Sequence, residues 1–174
     1  MNSYILFHSR GKSEDSKYLS NFTAVENGLC IEESYMIEEM RGKCFPTIEH
    51  AFQATKLVIS NASQNILEDL NEKDAKDAKS MGTKTFFKKK KLVLDVDRWN
   101  KMSTEVMKLL ITYRYNQDSK FRNIVNRLKN ENIALKHFER PRRFGGGEPY
   151  WGCYLNKNKE WIGTNMLGEL IEEI

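Results

Sequence analysis

The sequence predicts an α+β fold, predominantly helical, with a few short strands. Two observations carry this. Apolar residues recur at steps of three and four over several long stretches, which is the period of a helix with one buried face. The clearest stretch is 97–115, where Trp99, Met102, Val106, Leu109, Leu110 and Tyr113 follow that spacing. Between such stretches lie brief aromatic and β-branched clusters, of which Tyr4-Ile5-Leu6-Phe7 is the first, too short for helices and suited to strands. A length of 174 residues suits one domain over 1–174. A domain of that size buries roughly 70% of the surface its unfolded chain exposes, enough for a core without staples.

The elements follow in order. Residues 4–7 read as a strand and the polar segment 9–17 as a loop. Leu19 to Phe22 is a turn with an aromatic anchor, and 29–37 reads as a strand. Gly42 supplies a turn residue tolerant of positive φ. Pro46-Thr47 then opens a helix to about Ser60, with Thr47 as N-cap and Glu49 in the first turn, where the helix dipole favours a carboxylate. Helices fit 62–71 and 74–81, the latter ending at Gly82 as a C′ residue. Lys88–Lys91 is a basic run, and helices fit 97–115 and 119–129. A loop covers 141–149, short extended segments cover 150–154 and 160–162, and a last helix starts near Asn165.

Composition excludes several classes. Apolar residues make up 40% and charged residues 30%, with nine Phe, seven Tyr and three Trp, so the chain is neither disordered nor low-complexity. The longest apolar runs are about four residues against the roughly 20 that a membrane span requires, so no membrane partner is expected. No basic and apolar leader opens the chain, and a cytoplasmic protein is expected. The net charge of +4 permits anionic ligands without demanding them. Cys30, Cys44 and Cys153 are odd in number and widely spaced, so neither a disulfide framework nor a zinc site is expected.

Chemistry concentrates in three places. On the helix after Pro46, Gln53 and Lys56 fall within roughly 40° of Glu49 around the axis. An acid, an amide and an amine thus share a stripe; the plainer reading is a solvated face. A carboxylate at a helix start is expected to have a lowered pKa. The second place is Glu148-Pro149-Tyr150-Trp151-Gly152, whose aromatic pair and glycine can form a stacking wall, followed by Asn165, which can cap its helix or bind a ligand hydroxyl. Third, Arg140, Arg142 and Arg143 beside Gly145–Gly147 can close over a phosphate or diphosphate. Lys88–Lys91 reads as a solvated face, or as a contact to DNA phosphates.

Together these residues carry a resemblance. Leu19-Ser20-Asn21-Phe22, Pro46-Thr47-Ile48-Glu49-His50-Ala51-Phe52-Gln53-Ala54-Thr55-Lys56, Ala78–Gly82, Trp99 with Val106-Met107, Arg114–Gln117, Tyr150-Trp151-Gly152 and Gly163–Gly168 stand in that order. Over about residues 5–172 the chain resembles the YbiA-like N-glycosidases, also called the NADAR (NAD- and ADP-ribose-associated) family. The resemblance implies hydrolysis of the bond between a ribose or ADP-ribose C1′ and an exocyclic amine, in ribosylaminopyrimidine intermediates of riboflavin biosynthesis or in ADP-ribosylated guanine. It implies Glu49, Lys56 and Glu148 as catalytic residues. Asn21, Phe22, Gln53, Arg140, Tyr150, Trp151, Gly152 and Asn165 become the substrate contacts. It implies no cofactor and no metal, a small nucleotide or ADP-ribosylated nucleic acid as substrate, and an ADP-ribosyltransferase toxin as a possible counterpart. The chain departs from the pattern at Glu148, where many members carry Asp, and at Cys153, where an acidic residue is usual. A catalytically weak ADP-ribose or nucleotide-binding module is the alternative, and a DNA binder without turnover a third reading.

Overall fold

The structure is a computed structural model and describes residues 3–141 and 147–174. Its elements are β1 (Tyr4–Phe7), α1 (Glu14–Tyr18), β2 (Leu29–Cys30), β3 (Cys44–Phe45), α2 (Ile48–Val58), α3 (Gln64–Asn71), α4 (Ala75–Met81), α5 (Lys84–Lys90), α6 (Val96–Gln117), α7 (Ser119–Asn130), β4 (Ala134–His137), β5 (Tyr154–Leu155), β6 (Trp161–Ile162) and α8 (Met166–Glu172). The α+β, mostly helical class is as the sequence predicts. Arg142, Arg143, Gly145 and Gly146 of the proposed phosphate loop lie outside the described residues. Among the described residues no helix is long and apolar enough to cross a membrane.

The chain forms two compact units, one of Met1–Ser20 with Ser119–Ile174, the other of Asn21–Asp118. In the first, β1 pairs parallel with β4, Tyr4 opposite Ala134 and Phe7 opposite His137. α8 packs on β4, α7 on α8 and α1 on β1. The segment 9–17 is not all loop: Ser13 caps α1 by accepting the Ser16 amide. β4 has no counterpart in the sequence reading. Its partner is more than a hundred residues away, and four residues carry little pattern of their own.

The second unit is built around α2. α3, α4 and α6 all pack on it, with β3 and a 3-10 turn at Glu38–Met40. Thr47 Oγ1 accepts the His50 amide at 3.2 Å, so the expected N-cap forms. Ile48, Ala51, Phe52, Ala54 and Leu57 are buried, and so are Glu49, Gln53 and Thr55, so α2 is buried nearly all round. Thr55 Oγ1 donates to the Ala51 carbonyl at 2.8 Å, which leaves Tyr35 Oη as the donor in its 2.7 Å bond to Thr55. The basic run is helical here: α5 is capped by Thr83, and Lys91 closes it in the left-handed region at φ 55°.

Two further expectations are corrected. The strand expected at 29–37 is only Leu29–Cys30, antiparallel to Cys44–Phe45, with Gly42 at φ 70° in the connection. This register sets Cys30 opposite Cys44, and the two form a disulfide, contrary to the reading of the cysteine count. Spacing along the chain could not show it, because the pairing is created by the hairpin. Gln117 then brackets Cys30, accepting its amide at 2.9 Å and donating to its carbonyl at 2.8 Å.

Candidate active site

The Glu49–Gln53–Lys56 stripe is not a solvated face. Glu49 and Gln53 are 5% and 6% exposed, and Lys56 is half-buried. Gln53 Nε2 donates to Glu49 Oε1 at 2.9 Å. Lys56 Nζ donates to the Gly82 carbonyl at 2.6 Å and sits over the rings of Phe87 and Trp99, 5.6 and 5.7 Å from their centroids. Trp99 also meets Phe52 edge-on, with ring centroids 5.0 Å apart. α4, α5 and α6 therefore all contribute to the surroundings of one amine.

The electrostatics reverse one expectation. Glu49 lies in the first turn of α2, yet its pKa is raised, because removal from water outweighs the pull of Lys79, the Gln53 hydrogen bond, His50 and Lys56. The helix-start argument supplied only a modest lowering and could not know the depth of burial. The Lys56 pKa is lowered, again by burial, with Glu49 opposing. An acid pushed toward its protonated form and an amine pushed toward its neutral form share one helix face.

Asn21 closes the same region. Its carbonyl accepts the Glu49 amide at 3.1 Å, and its Nδ2 points to Met107 Sδ at 3.4 Å. Asn21 Oδ1 and Gln53 Oε1 are buried acceptors with no hydrogen-bond partner. A buried carbonyl oxygen left bare costs stability and is suited to a donor that arrives with a ligand. Phe22, half-buried, has Lys79 Nζ 5.5 Å above its ring. Sequence reasoning missed Lys79, Phe87 and the Gly82 carbonyl as parts of this neighbourhood. The only signal for the first and last was their place in the Ala78–Gly82 stretch. His50 is held at both ring nitrogens, its Nδ1 bonding Thr47 Oγ1 at 2.8 Å and its Nε2 the Lys73 carbonyl at 3.0 Å.

Glu148, Tyr150, Trp151, Gly152, Asn165 and Arg140 belong to the first unit. Glu148 and Arg140 are exposed. The rings of Tyr150 and Trp151 stand edge to face at 78°, centroids 5.1 Å apart, so they do not form a flat two-ring wall. Their backbone is a cap. The carbonyls of Gly152, Tyr150 and Trp151 accept the amides of Asn165, Met166 and Leu167 at 3.0–3.1 Å, which satisfies the start of α8. The two motifs thus interlock through the main chain. Asn165, at φ 59°, does not cap α8 with its side chain. Its Oδ1 accepts the His137 amide at 2.8 Å and its Nδ2 donates to the Leu135 carbonyl at 2.9 Å, so the amide ties α8 to β4. Among the described residues no group of three or more His, Cys, Asp or Glu side chains is arranged for a metal ion.

The chain is thus an α+β, mostly helical protein with a buried acid and a half-buried amine on one face of α2. The family model of the NADAR domain matches residues 6–174, nearly the whole chain, and the chain belongs to this family. Membership is consistent with glycosidase-type chemistry. No protein of curated function matches the chain.

Proposed function

We propose that the protein is an N-glycosidase that hydrolyses the bond between the C1′ of a ribose or ADP-ribose and the exocyclic amine of a base. The observation that carries this reading is the placement of a buried Glu49, bonded by Gln53 at 2.9 Å, on the same face of α2 as Lys56, whose amine is held by the Gly82 carbonyl at 2.6 Å; burial pushes the acid's pKa up and the amine's down. An exocyclic glycosylamine can open its sugar ring, because the nitrogen lone pair forms a C1′=N bond as C1′–O4′ breaks. A protonated Glu49 supplies the proton that O4′ takes up. Neutral Lys56 adds to C1′, the base amine leaves with a proton, and a lysine imine remains. Water adds to that imine, Lys56 is released, and the sugar aldehyde recloses. The sum is glycosylamine plus water giving free sugar and free amine. In the alternative route the carboxylate of Glu49 stabilises an oxocarbenium-like state and positions water.

Cytoplasmic metabolite clearance and removal of ADP-ribose from nucleic acid, with a toxin as counterpart, are the two settings this chemistry serves. The deciding experiment is a paired turnover assay by mass spectrometry, with ribosylaminopyrimidine 5′-phosphate in one arm and an oligonucleotide bearing ADP-ribosylated guanine in the other. Release of ribose 5-phosphate or of ADP-ribose by the wild type supports the reading and selects the substrate. ADP-ribose binding without cleavage of either glycoside replaces it with the binding-module reading.

A further inference from the structure

We propose that Gly82 is a positioning residue of the candidate active site, its bare Cα giving Gln53 the room to hold Glu49 and its carbonyl holding Lys56. The inference rests on the glycosidase reading and adds a determinant outside α2. Gly82 closes α4 at φ −85°, a backbone open to any residue, so the C′ role expected from the sequence does not explain the glycine. The missing side chain does. A β-carbon here would stand 1.7 Å from Gln53 Oε1, 2.6 Å from its Cδ and 3.2 Å from its Nε2. Gln53 is buried, and the far end of its amide is engaged with Glu49 Oε1, so it cannot yield without leaving Glu49. The same residue accepts the Lys56 ammonium or amine hydrogen at 2.6 Å. One residue at the end of α4 therefore touches two members of the stripe and sets the third through Gln53.

The charged and titratable groups around the pair are few. Lys79 of α4 and His50 and Lys56 of α2 face Glu49. Glu49, the Gly82 carbonyl and the rings of Phe87 and Trp99 face Lys56. Displacing Gln53 therefore removes the 2.9 Å hydrogen bond on the Glu49 carboxylate.

The test measures kcat and KM across pH for wild type, Gly82→Ala, Gln53→Ala and the double variant, on both glycosides. Circular dichroism checks folding, and NMR of 13Cε-lysine-labelled protein follows the Lys56 titration, assigned with Lys56→Arg. Gly82→Ala is expected to lower kcat by about 10²-fold, as misplacement of reacting groups does, with KM little changed. It is also expected to move the pH profile and the Lys56 titration. In the Gln53→Ala background, where the room is restored, it is expected to change nothing further. Wild-type kcat and titration in Gly82→Ala, or an equal further loss in the Gln53→Ala background, overturns the proposal. If Gly82→Ala alone does not fold, the comparison of the double variant with Gln53→Ala decides. Should the wild type cleave neither glycoside, the glycosidase reading falls, and the Lys56 titration still tests Gly82.

Discussion

Gln53 donates to Glu49 at 2.9 Å across one turn of α2, with both side chains more than nine-tenths buried. A single neutral donor is a small replacement for the water that a carboxylate loses on burial. The arrangement therefore favours the uncharged acid, and the same burial favours an uncharged Lys56 along the helix. Both groups are pushed toward their uncharged forms, a pattern that clusters at functional sites.

Glu49→Gln is expected to lower turnover by about 10²–10⁴-fold, the range of a lost general acid or base. The substitution also has a stability consequence with a definite sign. The folded Glu49 pKa lies above its unfolded value, so the folded state binds more protons between the two. Stability present below the unfolded value is then lost as pH rises through the folded one. Gln cannot ionise and can still accept from Gln53. Thermal unfolding followed by circular dichroism should show the variant melting above wild type at neutral pH, the gap closing in acid. An unchanged gap across pH would mean that Glu49 titrates as if exposed.

Lys56 distinguishes the two chemical routes. If it is the nucleophile, borohydride added during turnover traps one sugar adduct on the protein, located by peptide mass spectrometry at residue 56. Lys56→Ala is then expected to lose more than about 10²-fold in kcat and all trapping. Because this route needs Glu49 protonated and Lys56 neutral, activity should be bell-shaped in pH, and burial, which raises the Glu49 pKa and lowers that of Lys56, should bring the two limbs closer together than an ordinary carboxyl and amine would set them. Lys56→Ala with full activity, beside an inactive Glu49→Ala, leaves the oxocarbenium route.

The core of this site was legible because it is local. Thr47 as a cap and the spacing of 49, 53 and 56 place three side chains on one face whatever surrounds them. The surroundings were not legible. The sign of the Glu49 shift depends on α3, α4 and α6 covering α2, which no window of sequence contains. Gly82 was visible as a glycine, and its reason, room for Gln53, is a tertiary one. α5 was hidden because its four lysines leave only Phe86 and Phe87 to mark a face. β4 and the Cys30–Cys44 bond depend on register between segments, which spacing along the chain does not encode.

Asn165 is legible in the sequence as a ligand contact, whereas its bonds to His137 and Leu135 engage both ends of its amide in the first unit. Asn165→Gly keeps a residue tolerant of the φ of 59° and removes only the side chain. It leaves a strand amide and a strand carbonyl of β4 without their partners, at a cost of about 2 kcal/mol. The expected result is a lower melting temperature with KM unchanged. A raised KM with an unchanged melting temperature would return Asn165 to the substrate.

The Cys30–Cys44 bond closes a loop whose ends are 14 residues apart in sequence. Cross-linking a loop of that length stabilises by about 3 kcal/mol in the chain-entropy account. For a protein of this size that corresponds to roughly 6–12 °C in melting temperature. The bond joins β2 to β3, and β3 leads directly into Thr47 and α2, so its loss is expected to loosen the start of the helix that carries Glu49. Dithiothreitol and Cys44→Ser should each lower the melting temperature by similar amounts, and together by no more than either alone. Mass spectrometry after alkylation of the unreduced, unfolded protein should label Cys153 and leave Cys30 and Cys44 untouched. Labelling of all three with no response to reductant would show that the two cysteines stay apart and that the hairpin holds by its hydrogen bonds and the Gln117 bracket alone.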